Sequence, residues 1–266
     1  MATPRASDAR EKRCGVCGHE SRQAPFRPPV PEQAPDLDLR PGEPVRSTMS
    51  RWLQACPHCG YAAPDISEAH PAGAEAVAAA PYRALIADTS HPVLARRFLA
   101  WAHVLEETGA LHAAAEATLH AAWVADDLDR DDLARQWRRE AVALWRSGPA
   151  LDAEQSVRVI DALRRAGDFA EAASAAAALG ASSPPEAVAQ VSALEARLIA
   201  WVLLEKGCVV IDALLPAGVL APLGRHHNPL ATDEFLGLQD QGLPPPTAIG
   251  LDTKEVLPHL SKTRLT

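Results

Sequence analysis

The chain has 266 residues, enough for one large domain or two modest ones, and its formal net charge is -8. Residues 1–72 carry nine basic and nine acidic residues, so the acidic excess lies in the remainder, 17 basic against 25 acidic. An acidic body repels phosphate backbones, which argues against nucleic acid as the main partner.

The polar segment Met1–Arg13 has no apolar signal-peptide core. Two cysteine pairs follow, Cys14-Gly-Val-Cys17-Gly18 and Cys56-Pro-His-Cys59-Gly60. Each pair sets two thiolates on one tight turn, and the glycine behind it lets the backbone fold back so that N–H groups point at sulfur. Together they predict a four-sulfur tetrahedral site made by Cys14, Cys17, Cys56 and Cys59. Such a set suits zinc. The same four sulfurs also hold iron in rubredoxin-like carriers, so iron is not excluded. A filled shell leaves no position for water, which argues for a structural rather than a catalytic metal. His19 and His58 flank the knuckles, but four cysteines already complete the shell. The cysteine pattern and the missing signal core suit a reducing compartment, and a cytoplasmic location is expected.

Residues 21–46 are proline-rich and read as a loop, and Ser47–Ala55 as a strand with Met49 and Trp52 on its buried side. These readings give a metal-binding β module over 1–62. Residues 63–91 read as a connector with a short helix near Ala74–Ala80.

Between residues 93 and 183 the only proline is Pro149, so this stretch can be helical throughout. The first helix runs from Pro92 to about Thr108, with Phe98, Trp101, Ala102 and Leu105 on one face. A second covers Leu111–Ala125. A third is capped by Asp129 and striped by Leu133, Trp137, Ala141 and Leu144. A fourth covers Asp152–Ala166 with Val159, Ile160 and Leu163 inward, and a fifth Phe169–Leu179. The sixth opens on a capping box, Ser183-Pro-Pro-Glu186, and buries Val188, Val191, Leu194, Leu198 and Val202. Gly207 ends it. The helical domain thus spans 92–206. The tail, 207–266, has Pro244-Pro245-Pro246 and little periodicity, and reads as irregular or partly disordered. Its apolar stretch Cys208–Leu223 carries Asp212, Pro216 and Pro222 and does not read as a membrane span.

His103, His112 and His120 are spaced too widely to be forced together. The run Asp126–Asp132 lacks the glycine and glutamate of an EF-hand loop and reads as a solvated turn leading into a helix. Trp101, Trp123, Trp137, Trp145 and Trp201 sit at helical spacing and read first as core. No phosphate-binding glycine loop, nucleophile elbow or HExxH motif occurs, so nothing recommends an enzyme.

The turn Ala166-Gly-Asp-Phe-Ala-Glu-Ala172 resembles the inter-helix turn of tetratricopeptide repeats, though its Gly167 lies 58 residues from Gly109 of the first hairpin turn rather than at the expected period of about 34. The fold class expected is mainly α, a tetratricopeptide-like helical-hairpin solenoid with a small N-terminal zinc-ribbon-like β module. The residues Asp38-Leu-Arg40-Pro41, then Trp52-Leu-Gln-Ala-Cys56-Pro-His-Cys59-Gly60-Tyr61-Ala62-Ala63, resemble an uncharacterised bacterial family, a domain of unknown function. Its members join a CxxC/CPxCGYA zinc-ribbon-like region to tetratricopeptide-like helices. The stretches Ala121-Ala122-Trp123, Asp126-Asp127 and Arg138-Arg139-Glu140-Ala141 are similar as well. The resemblance covers residues 10 to about 205 and implies metal ligands and architecture, but no activity. The expected function is a non-enzymatic interaction or scaffold protein with a structural zinc site and a helical surface for a protein or peptide partner. The alternatives are a zinc-ribbon factor acting on nucleic acid and an iron electron carrier.

Overall fold

Two short antiparallel hairpins open the chain in the computed structural model, which describes residues 9–205. Strand β1 (Arg10–Arg13) pairs with β2 (Glu20–Gln23), Arg10 facing Gln23 and Arg13 facing Glu20. Strand β3 (Gln54–Ala55) pairs with β4 (Ala62–Ala63) in a separate sheet. The strand expected over Ser47–Ala55 is thus confined to its last two residues. Arg46–Arg51 instead form a 3-10 turn. The cause is local: the Glu43 carboxylate accepts from the Ser47 backbone N–H (3.2 Å) and hydroxyl (2.6 Å), and the Thr48 hydroxyl donates to the Val45 carbonyl. Such side-chain bonds give the backbone an alternative to a ladder. Met49 is buried as expected, while Trp52 is half-buried.

Residues 63–91 carry two short helices, α1 (Gly73–Ala78) and α2 (Ala80–Ala87), the second with Pro81 at its start. They do not hang free. Ile66, Ala76 and Tyr82 share one core with Cys14, Cys56, Tyr61, Ala62 and Ala63, and with Ala100 and Val104 of the next helix.

The helices that follow are α3 (Val93–Glu107), α4 (Leu111–Asp126), α5 (Asp131–Ser147) and α6 (Ala153–Ala166). Sequence neighbours pack on one another, α3 with α4, α4 with α5 and α5 with α6. Helix α4 lies against both α3 and α5 and buries Ala114, Ala115, Ala117, Ala121, Ala122 and Ala125. Alanine there lets neighbouring backbones approach and favours helix at no side-chain entropy cost. Helix α5 is amphipathic, with Leu133, Trp137, Ala141 and Trp145 inward at spacings of four. Asp152 caps α6 in a reciprocal capping box with Gln155. Asp129 is not a cap. It has a φ of 53° and stands two residues before α5, which begins after Arg130.

The described residues through Asp168 form one compact unit, and those from Phe169 to Glu205 belong to a second. In the second, α7 (Phe169–Ala181) packs against α8 (Glu186–Glu205). Ser183 is left-handed (φ 53°), and α8 starts at Glu186, so the expected capping box at Ser183 is not the start signal. Its buried stripe is Ser192, Ala196, Ile199 and Ala200, with Glu195 beside them. The expected Val188, Val191, Leu194, Leu198 and Val202 flank that stripe and are half-buried. Among the described residues the chain is mainly helical with two small antiparallel sheets, and no helix is long and apolar enough to cross a membrane. The tail expected to be irregular, 207–266, lies outside the described residues, as do Gly207, Cys208 and His226-His227.

Candidate metal centre and the buried ion network

The two hairpins fold into the same knuckle. In the first, the Cys14 N–H donates to the His19 carbonyl (2.9 Å) and the Gly18 N–H to the Cys14 carbonyl (2.9 Å). In the second, the Cys56 N–H donates to the Tyr61 carbonyl (2.9 Å) and the Gly60 N–H to the Cys56 carbonyl (3.0 Å). Gly18 and Gly60 have φ of 75° and 79°, the left-handed turn that any side chain resists. A Cβ on Gly60 would also sit 3.3 Å from Ile86 of α2. Gly60→Ala is therefore expected to destabilise the protein by about 1–2 kcal/mol, read as a lower midpoint in urea unfolding.

The knuckles bring Cys14, Cys17, Cys56 and Cys59 together, their Sγ atoms all within 4.8 Å of one another. Cys14 Sγ lies 3.9 Å from Cys59 Sγ, and Cys17 Sγ 3.6 Å from Cys56 Sγ. A tetrahedron with metal–sulfur bonds of about 2.3 Å has edges of about 3.8 Å, so the donor set fits a metal ion of zinc's size. Backbone N–H groups do point at sulfur: those of Cys17 and Val16 at Cys14, of His19 at Cys17 and of Tyr61 at Cys59. Burial raises the Cys14 and Cys59 thiols above the usual range. For Cys17, which is exposed, slight desolvation is outweighed by the His19 N–H and by its His58, Cys59 and Cys56 neighbours, which bring it down to about 6. His19 and His58 stack on each other at 5.2 Å beside the cluster.

Neighbouring elements hold the knuckles in register. The Gly15 N–H donates to the Ile66 carbonyl (2.8 Å), and Lys12 pairs with Asp65. Buried Tyr82 of α2 donates its hydroxyl to the Gly60 carbonyl (2.9 Å) and accepts from the Ala62 N–H (3.2 Å). The Tyr61 hydroxyl donates to the Glu68 carbonyl (3.1 Å) and accepts from the His70 N–H (3.0 Å). The two sheets are tied by Gln23 Nε2 to the Ala55 carbonyl (3.1 Å) and Gln54 Nε2 to the Ala24 carbonyl (3.3 Å).

The stretch between the knuckles is more than a loop. At Asp36–Arg40 the chain makes a tight turn, with the Asp36 N–H on the Arg40 carbonyl (2.9 Å), the Arg40 N–H on Asp38 Oδ1 (3.2 Å), and Leu39 at a φ of 62°. The turn delivers Asp38 and Arg40, both buried, into the helices. Asp38 Oδ2 accepts from Trp123 Nε1 of α4 (2.6 Å) and from Arg165 of α6 (3.1 Å), and Arg138 of α5 stands 3.9 Å away. Arg138 and Arg165 also share the Asp126 carboxylate, and Arg40 pairs with Asp127 (2.6 Å). Asp126 and Asp127, read in the sequence as part of a solvated turn, are anchors here, while Asp131 and Asp132 stay in the first turn of α5. Desolvation, and then the nearby Asp161, push the Asp38 carboxyl up to about 6 against the pull of Arg165, Trp123 and Arg138. The one sequence signal for this network is the Asp38-Leu-Arg40-Pro41 run, which by itself shows no burial.

The histidines do not converge. His103 lies beside Tyr82, and His112 contacts Gln155 Nε2 (3.0 Å) and the Pro149 carbonyl (3.2 Å). His120 packs among Trp52, Phe98 and Trp123, and desolvation, with Arg158 and Arg40 nearby, lowers it to about 3. A ring that stays neutral near pH 7 and packs on three aromatics acts as a core side chain rather than a proton carrier. Trp123, Trp137 and Trp145 are buried and Trp101 is half-buried against His70. No protein family, curated protein or solved structure matches the chain.

Proposed function

We infer that Cys14, Cys17, Cys56 and Cys59 hold one structural zinc ion, and that the protein is a non-enzymatic interaction scaffold. The observation that carries the zinc reading is the pair of identical knuckles converging on a four-sulfur shell with tetrahedral spacing. Zinc supplies a divalent charge that lets four crowded thiols ionise together, and it cross-links two hairpins too short to be stable alone. The residues of this chain do the rest: N–H groups orient the sulfurs, Tyr82 of α2 holds the second knuckle, and the Ile66 carbonyl holds the first through the Gly15 N–H.

The scaffold reading rests on the helices. From α3 to α6 sequence neighbours pack on one another, as in the stacked hairpins of a tetratricopeptide-like solenoid, and such stacks present a groove to a peptide or helix. Metal analysis of the purified protein is expected to give about one zinc per chain and no visible absorption band. A visible band with stoichiometric iron favours the electron-carrier alternative, and metal-free folded protein overturns the site. Affinity capture is expected to retain the same protein partner after nuclease treatment. Partners that vanish with nuclease favour the nucleic-acid alternative.

A further inference from the structure

A cavity of about 430 Å³ opens beside the second knuckle, between the end of β2, the 3-10 turn and the start of α3. It falls in the size class of small-molecule sites. Its wall includes Arg22, Arg51 and Arg97 together with Ser21 and Ser50, and no carboxylate. That concentration of positive charge stands out in a chain of net charge -8. Arg97, on α3, has no hydrogen bond or ion pair among the described residues, so its guanidinium is uncommitted. One Arg51 nitrogen holds the Pro25 carbonyl (2.9 Å) while the group stands over the Phe26 ring, which fixes its position and leaves other N–H donors. Arg22 is anchored by one bond to the Ala9 carbonyl. The Ser21 hydroxyl oxygen accepts from Gln23 Nε2 (2.9 Å), which leaves its O–H to donate. Leu53 and Pro57 add apolar wall.

We propose that this cavity binds a small organic phosphate, the arginines and serine hydroxyls taking the phosphoryl oxygens and the Leu53–Pro57 side taking the organic body. The donor set decides for phosphate over carboxylate. Guanidinium forks match both groups, but three cations and two hydroxyls exceed what one carboxylate's single charge and two oxygens can use, and suit a dianion with three. Such a site goes beyond the scaffold reading and needs no protein partner.

Calorimetric titration of the full-length, metal-replete protein tests it, with adenosine monophosphate, inorganic phosphate, citrate and single-stranded oligothymidylate as probes. Zinc content and melting are measured on every sample, so loss of the knuckle is told apart from loss of the cavity. Adenosine monophosphate is expected to bind saturably and more tightly than inorganic phosphate or citrate. Arg97→Gln should weaken it by about tenfold or more, Arg97→Lys should retain an intermediate affinity, and Arg135→Gln, an exposed change on α5, should leave it unaltered. Absence of saturable binding overturns the proposal, as does binding indifferent to Arg97→Gln. Equal affinity for inorganic phosphate removes the organic body from it, equal affinity for citrate removes the phosphoryl group, and tighter oligothymidylate binding replaces it with a nucleic-acid groove.

Discussion

Stripping the metal with a chelator, or replacing one ligand as in Cys56→Ser, is expected to unfold residues 9–91 and to lower the melting temperature of the rest. Structural zinc contributes about 10 kcal/mol or more in small zinc-dependent folds, as much as the whole stability of many domains. Little else here would replace it. The sheets have four and two residue pairs, and isolated hairpins are marginal in water. The core around the knuckles includes Cys14 and Cys56 themselves. Loss should show in near-UV circular dichroism, where buried Tyr61 and Tyr82 report on this core, with far-UV helical signal largely kept. It should reach α3 as well, because Ala100 and Val104 belong to the same cluster. Re-addition of zinc to the chelated wild type should restore the signal, and to Cys56→Ser it should not. An unchanged melt after complete metal removal contradicts the structural role.

The second large effect is expected at Asp38. Asp38→Ala takes away the acceptor of the Trp123 indole N–H and a counter-charge of Arg165 and Arg138, in a place water does not reach. Breaking one side of a buried ion pair costs about 3–5 kcal/mol, and urea unfolding should report a loss of that size. Two controls separate the causes. Trp123→Phe keeps an aromatic side chain but removes the N–H donor and part of the indole, so about 2–3 kcal/mol is expected from the lost bond and the space left behind. Asp38→Asn keeps volume and a hydrogen-bond acceptor, and differs from wild type mainly in charge. Its pH dependence gives the sign. Burial pushes the folded carboxyl up to about 6 from the ordinary aspartate value of 3.8, so the folded state holds the proton more tightly. Below about pH 4 both states are protonated. As pH rises from about 4 through 6 the wild type loses on the order of 3 kcal/mol relative to Asp38→Asn, and above 6 the difference is constant. A gap between the two proteins that stays flat over this range sinks the assignment.

The buried carboxylate acts through its place in the fold. The segment that carries Asp38 and Arg40 runs from one cysteine knuckle to the other. Its charges meet α4, α5 and α6 at one point. The network ties the inter-knuckle segment to Trp123, Asp127 and Arg165 through charge-assisted hydrogen bonds.

The cysteines were legible because their chemistry is local. A CxxC-Gly turn places two sulfurs whatever surrounds it, and two such turns leave one arrangement that satisfies four thiolates. The helices from α3 to α7 were legible for a related reason. Pro92, Gly109, Gly148 and Gly167 act on their own backbone, and the stripes of Leu133, Trp137 and Ala141, or of Val159, Ile160 and Leu163, need only the helical repeat. The start of α8 was misread because Ser183 took a left-handed turn that its sequence also allows, and its inward face was set by where α8 was packed, not by its most apolar residues.

What the sequence determined by itself, then, is the four-sulfur cluster and the helical succession. Both follow from interactions that span a few residues. Only the tertiary structure decided that the proline-rich segment locks onto α4–α6 through Asp38 and Arg40, that Ile66 and Tyr82 share the core of the knuckles, and that arginines 22, 51 and 97 wall one cavity. Each of these joins residues tens of positions apart. Charge and polarity in a string give no sign of which ions will be buried together, since a buried pair and a solvated one are written with the same letters.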